Sequence, residues 1–551
     1  MSLRNRLALL FALSTLAVLA GCGSGSSNPV APPTGGFSNT NFNGTYTFSV
    51  LGADAGNGTG SAFAMAGSFT ACGCTAGTIS GGTVDLVDNT GPAPASTVGS
   101  NSTYSITKDG RGFAKLMITT TANTSFEVDV DFVLISSSHG LITRFDGSGT
   151  GSGTIDLQSS VSQATLANLP FAFSLSGADL AGDPLSIMGA FTLDSSGNIS
   201  TTGANAGVAD ATIYNFSTFS ASPFANAALS GSVQVGSGTT PGPATLSIAT
   251  FGTLAFDVYP IDGSHLKLIE TDGFEILVGD VFTQPSASIP AGNWVFSMLG
   301  PDPGGNPFAA AGIMTTTSSN QITTGAEDLN DNGVVDFGNV PVTPQPFSGA
   351  FTATGGGRFQ ITLSTFAGGT TFAAYPSSGG LLMQEIDSGV GSGVTSGAAL
   401  QQTSGASIAA SQGYGLNLTG VDLINLVEAD EIAEYTTTSS TLTGLVDIND
   451  GGSLSTQSLS GNYTTGSGGL GSASLSAGFG SMFFYPADNT NVLLLSTDPT
   501  VVGLGSFQSQ VTPAQSSMEQ PRTLSALHYM PHPRSAAAKG KAAKNTRFVR
   551  R

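Results

Sequence analysis

Four segments of the chain open on one pattern at nearly equal intervals. They begin Tyr46-Thr-Phe48-Ser, Phe171-Ala-Phe173-Ser, Trp294-Val-Phe296-Ser and Tyr414-Gly-Leu416-Asn, and each reaches a Gly-x-Asp: Gly52 and Asp54, Gly177 and Asp179, Gly300 and Asp302, Gly420 and Asp422. The glycines are 125, 123 and 120 residues apart. Alternating apolar and polar residues that run into Gly-x-Asp describe a half-buried strand entering a turn. A repeat of this length is a domain in its own right, so the chain must be a tandem array.

Later features recur in the same order. A Gly-x-Phe strand (Gly67 to Phe69, Gly189 to Phe191) leads to an Ile-centred strand at Ile79, Ile199 and Ile322. A Ser-Gly-x-aromatic strand follows at Ser348 to Phe351 and Ser460 to Tyr463, with Ser230 to Val233 as a variant. Then come Tyr259-Pro260, Tyr375-Pro376 and Tyr485-Pro486, where proline removes a ladder donor and is expected to end the strand. An apolar strand then reaches Asp146, Asp272, Asp387 and Asp498, and a glutamine closes each unit near Gln158, Gln284, Gln402 and Gln508. The count is eight strands per unit, joined by short turns. The expected fold is all-β: four tandem antiparallel units of roughly 120 residues, each an eight-stranded up-and-down barrel, because a meander closes without edges. A two-sheet sandwich is the alternative. The units are expected at 43–160, 165–287, 288–404 and 405–511.

Charge separates this body from the ends. The formal net charge is −20, and only Lys108, Arg111, Lys115, Arg144, Lys267 and Arg358 are basic between residues 43 and 511. All acids but Glu519 lie in the body, so its surface repels phosphates and nucleic-acid binding is not expected. Residues 512–551 are the reverse, with eight Lys and Arg from Arg522 onward. They read as a solvated basic tail, or as a clasp onto anionic envelope polymers or onto the acidic body itself.

At the amino end, Arg4 and Arg6 precede an uncharged, mostly apolar run from Leu7 to Ala20. That run is short of the roughly 20 residues a spanning helix needs, so residues 1–21 read as a signal peptide. The closing Leu19-Ala20-Gly21-Cys22 resembles the bacterial lipobox. The resemblance implies cleavage before Cys22 and diacylglyceryl transfer to its sulfur, which would tether the chain to a membrane. Residue 23 is Gly rather than Asp, and by the same likeness this favours the outer membrane, facing periplasm or cell surface. Residues 22–42, rich in Gly, Ser and Pro, are expected to be a spacer. The arrangement as a whole resembles tandem β-repeat envelope lipoproteins of two-membrane bacteria, a likeness that implies no activity.

Candidate chemistry is sparse. The body holds two histidines, His139 and His265, and no nucleophile elbow, P-loop or HExxH. No catalysis is expected. Asp328, Asn330, Asn332 and Asp336 match ligand positions of a calcium loop around Gly333. The same residues suit an Asx-rich hairpin loop, and calcium is the one cofactor the sequence suggests. A weaker echo runs from Asp447 through Asn449 to Gly452. Cys72 and Cys74, in an exported chain, are expected to form a local disulfide at a hairpin tip. Trp294 and the opening aromatics alternate with polar residues and belong to cores.

Three functions fit these observations. The first is an anchored array of β modules for structural, adhesive or ligand-binding purposes, whose partner lies in the envelope or outside the cell. The second is a carbohydrate-active or carbohydrate-binding protein that uses the carboxylates and aromatics of one unit. The third is a small-molecule carrier with ligands inside the barrels.

Overall fold

The computed structural model describes residues 36–55, 61–339, 342–466, 469–478 and 480–511. The lipobox (Leu19, Ala20, Gly21, Cys22) and the basic tail lie outside the described residues.

The chain forms four closed eight-stranded antiparallel barrels in tandem, so the meander reading holds over the sandwich. Barrel 4 shows the plan with nothing added. Its strands are Gly413–Asp422, Val427–Thr437, Thr441–Asp450, Ser453–Thr465, Gly471–Leu475, Ser481–Pro486, Asn491–Ser496 and Val501–Ser509, and the last pairs with the first. Barrel 1 closes through Gly91–Val98 against Arg111–Thr119, with Thr103–Ile106 as an extra strand outside the closure. Barrels 2 and 3 close between their third and fourth and their second and third strands.

Alternation does the sorting. Inward positions fill each barrel with apolar side chains, such as Phe48, Phe69 and Phe132 in barrel 1 and Phe173, Leu246 and Leu268 in barrel 2. Trp294 is in the barrel 3 core, its indole N–H donating to Thr316 Oγ1 at 3.1 Å. Barrel 4 keeps a hollow of about 20 Å³ beside Tyr435, Leu459 and Phe484, room for about one water. The barrels coil tightly where the eighth strand meets the first. A Cβ at Gly153, Gly279, Gly397 or Gly505 would lie 1.7, 1.9, 1.9 or 2.3 Å from the carbonyl oxygen of Ser49, Ser174, Ser297 or Asn417. Only glycine fits there, once per unit.

Three expectations change in detail. The end of the predicted spacer is packed: Phe37 and Phe42 are buried in the barrel 1 core, because an apolar plug covers that open end. Two of the Tyr-Pro prolines do not end their strands: Pro260 and Pro376 still pair, opposite Leu266 and Leu381, whereas Pro486 is the last residue of its strand, as expected. The glutamine equivalent to Gln158, Gln284 and Gln402 is Gln510, not Gln508. Its backbone N–H bonds Gly413 O, as those of the other three bond Thr45 O, Pro170 O and Asn293 O.

The barrels lie side by side. The outer face of strands one to three in one barrel packs on the outer face of strands six to eight in the next. Ala64, Ala66 and Val87 of barrel 1 meet Tyr259, Ile269 and Val278 of barrel 2. Met188 and Ala190 of barrel 2 meet Tyr375 and Leu382 of barrel 3. Val295 and Ala311 of barrel 3 meet Tyr485 and Leu495 of barrel 4. Ile432 of barrel 4 then meets Val133, Ile135 and Leu141 of barrel 1. The array therefore closes on itself as a ring.

Candidate functional site at the barrel seams

One position in the third strand supplies an aspartate in every barrel. Asp85, Asp210, Asp328 and Asp447 lie opposite Ala66, Met188, Ala311 and Ile432, which lie opposite Ser49, Ser174, Ser297 and Asn417. All four face a seam. Three of them accept from the repeated tyrosine of the next barrel. Tyr259 donates to Asp85 at 2.6 Å, Tyr485 donates to Asp328 at 2.5 Å, and Tyr375 donates to Asp210. The Tyr-Pro motif is thus a docking element.

Barrel 1 has no tyrosine at this place. The ladder from Ser49 through Thr154 and Leu141 leads to Val133. The fourth seam uses a cation instead, Arg111 reaching Asp447 at 3.4 Å. Arg358, which like Arg111 begins a fifth strand, grips Asp210 with Nε at 2.6 Å and Nη2 at 2.8 Å. Arg358 is 2 % exposed, so this is a buried bidentate pair.

The seam between barrels 1 and 2 carries a second polar group. Lys267, fully buried, donates to Ser49 Oγ, Thr154 Oγ1 and Asp280 at 3.0, 2.8 and 2.9 Å. His265 pairs with Asp280, and His139 with Asp156, each at 2.8 Å. Burial alone would raise both acids. The charges of His139 and Lys267 outweigh it at Asp156, as Lys267 and His265 do at Asp280, and hold both below the usual carboxylate range. Both histidines are buried, and Asp156, which His139 holds, also feels Lys267 and His265 of the neighbouring barrel.

The calcium-loop residues split between two tasks. Asp328 is the seam acid, and Asp336 turns back toward it while accepting from Leu329 N–H at 2.9 Å. Asn330 instead spans the seam. Its amide donates to the carbonyls of Ser496, Asp498 and Val501, and its oxygen accepts from Gly333 N–H. Asn332 is an exposed turn residue with φ +51°. The structure brings Asp328 and Asp336 together and sends Asn330 and Asn332 elsewhere; among the described residues no cluster of three or more His, Cys, Asp or Glu is arranged for a metal. The echo at Asp447 has the same explanation: Asn449 donates to Arg144 O and Gly149 O of barrel 1. Aspartate-x-asparagine is a seam signature in barrels 3 and 4.

The unit-closing glutamines form a third set of contacts, missed in the sequence because their partners lie in another unit. Gln158 donates to Pro260 O, Gln284 to Gly357 O and Gln402 to Pro486 O. Gln510 does the same across the closing seam, to Asp109 O and Leu134 O, and Val511 N–H bonds Ile135 O. Cys72 and Cys74 are disulfide-bonded at the tip between the second and third strands of barrel 1. The repeated aspartates accept backbone bonds within their turns in barrels 2 to 4: Asp179 from Ala181 N–H and Asp422 from Ile424 N–H as Asx turns, and Asp302 from Asn306 N–H four residues on. Asp54 is ion-paired with Arg144 at 2.7 Å.

Comparison with known proteins finds no family model that matches the chain and no curated sequence that resembles it.

Two predictions follow from the buried charges. Replacing Arg358 with Leu leaves Asp210 buried without its counter-ion, a change that costs about 3–5 kcal/mol. Denaturant unfolding should show that loss, and Asp210→Asn added to Arg358→Leu should recover part of it. The second concerns pH. Burial raises Asp257 to about 7 beside Asp85, Asp336 to about 7 beside Asp328, and Glu327 to about 8. Burial and Asp109 raise Glu434 to about 9. These groups hold protons in the folded state that the unfolded chain releases above its ordinary carboxylate range near 4. Stability therefore falls as pH rises from about 4.5 to about 9. Asp156 and Asp280 have the opposite sign, and their contribution is lost below that range. The melting temperature should be highest near pH 5 and several degrees lower at pH 8.5; a flat profile between those values would contradict the assignment.

Proposed function

We propose that the chain is a noncatalytic envelope lipoprotein, anchored through Cys22, whose four barrels form one rigid ring for presenting a surface to a partner. The observation that carries this reading is the separation of the ring's two ends. Residue 36, where the described chain starts, and Val511, where it stops, both sit at the end where the linkers between barrels cross. Phe37 N–H bonds Lys108 O there, and Val511 N–H bonds Ile135 O. The hairpins joining strands one and two, three and four, and seven and eight are at the opposite end. A lipid on Cys22 would hold the linker end toward the membrane and turn those hairpins outward.

Two further features support display over chemistry or carriage. The barrel interiors are packed with their own side chains, and many of the shifted carboxyls are enclosed in seams. Among the described residues no helix is long and apolar enough to cross a membrane. The tether itself is read from Leu19-Ala20-Gly21-Cys22. One acyl chain binds marginally, while two or three hold firmly.

The test is fractionation of cells making the wild type or Cys22→Ser. Wild-type protein should remain with membranes through a high-salt wash, with a mass increment for lipid on its first tryptic peptide. Cys22→Ser should be soluble after export. Wild-type protein that is soluble and begins at an unmodified residue would overturn the anchoring.

A further inference from the structure

The ten large apolar side chains that stand exposed among the described residues are all at one end of the ring. They occupy hairpins one–two, three–four and seven–eight of barrels 2, 3 and 4. Phe219 and Phe274 are in barrel 2, Phe337 and Val390 in barrel 3, and Ile424 and Leu426 in barrel 4. Three of these are about as open as a side chain becomes: Val390 is 86 %, Ile424 73 % and Phe274 67 % exposed. At the linker end the apolar residues are buried instead, as Phe37 and Phe42 are.

Same-end hairpins touch across every seam, so these tips form one continuous rim. A Cβ at Gly273 would meet Pro92, one at Gly305 would meet Phe216, one at Gly333 would meet Pro499, and one at Gly452 would meet Ala55. Acids gather at the same hairpins, among them Asp179, Asp272, Asp302, Asp331, Asp450 and Asp498, all half-buried. Arg144, the one basic residue there among the described residues, is buried and already paired with Asp54 and Asp146. Like charges are crowded: Asp302 faces Asp331, and Asp422 faces Asp450. Such a surface stores repulsion that a cationic, partly apolar ligand relieves.

We propose that this rim is the docking surface for the chain's own basic segment, residues 512–551. That segment carries eight of the 16 Lys and Arg, interleaved with Leu524, Leu527, Tyr529, Met530, Phe548 and Val549. Its chemistry complements the rim in both respects. A second copy of the acidic rim, or an anionic lipid surface, would be repelled. Reach is not limiting. Lys539 is 28 residues beyond Val511, a span of up to ~90 Å, whereas a strand of about ten residues crosses the ring in ~35 Å. Tethering raises the effective concentration, so weak contacts suffice. The proposal does not depend on lipid at Cys22. It gives the rim a resident occupant that any external partner must displace.

The test is zero-length carboxyl–amine cross-linking of the full-length protein, using an equal mixture of ¹⁵N-labelled and unlabelled chains, read by mass spectrometry. Lys539, Lys541 and Lys544 should couple to rim acids such as Asp179, Asp302 and Asp450 within single chains. Yield should fall about fivefold or more between low salt and 0.5 M salt, as screening shortens the reach of charge. Phe274→Ser with Ile424→Ser, changes at exposed tips, should lower that yield without moving the melting temperature. Coupling mainly to linker-end acids (Asp194, Asp262, Asp488), or mainly between differently labelled chains, would overturn the proposal. So would a yield indifferent to salt and to the double substitution.

Discussion

The ring depends on a single geometric constraint: the two docking faces of each barrel adjoin. Strands one and eight are hydrogen-bonded neighbours, so the face on strands one to three begins where the face on strands six to eight ends. Barrels joined through opposite faces would run on as a rod. Barrels joined through adjoining faces must turn at each step, and a head-to-tail contact that turns closes into a ring. Glycines at 153, 279, 397 and 505 make the tight coil at that junction possible. Gln510 and Val511 repeat at the closing seam what Gln158 and Ser159 do at the first, without a covalent linker to impose it.

Each seam buries an aspartate, and the four are answered in three ways. Tyrosine without arginine meets Asp85 and Asp328, tyrosine with arginine meets Asp210, and arginine without tyrosine meets Asp447. Buried ion pairs are weak evidence for stability, since desolvation offsets much of the attraction. Their differing partners distinguish one pair of faces from another. Lys267 donates to Ser49 and Thr154 of barrel 1 and to Asp280 on the adjoining strand of its own barrel, while the equivalent residues Leu141, Leu382 and Leu493 are apolar. The first seam is thereby made chemically unlike the other three.

Much of the fold was legible because it is local. Alternation, turn residues and the 120-residue period specify eight strands and four closures, and Gly-x-Asp at Asp179, Asp302 and Asp422 reads correctly as a turn. The seams were not legible, because nothing in a repeat says whether an outward residue meets water or another barrel. Asp328 and Asn330 therefore resembled metal ligands, when Asn330 is spent on three carbonyls of the next barrel. The tyrosines of Tyr-Pro resembled strand ends for the same reason. A signal did exist: an acid two residues before an asparagine recurs at Asp447, and tyrosine recurs three times beside a proline that no turn requires. The rim was also hidden, since exposure of Phe274 or Ile424 is a property of the assembled ring.

Closure between barrels 4 and 1 is the claim from which the rest follows, and pulsed electron spin resonance tests it directly. Spin labels on Ser148→Cys of barrel 1 and Ser453→Cys of barrel 4, in a Cys22→Ser background, flank the place where a Cβ at Gly147 would lie 3.9 Å from Gly452 O. A closed ring predicts one narrow, short interspin distance that persists at 0.5 M salt. A broad distribution at long distance, as for four barrels strung in an open row, would contradict it.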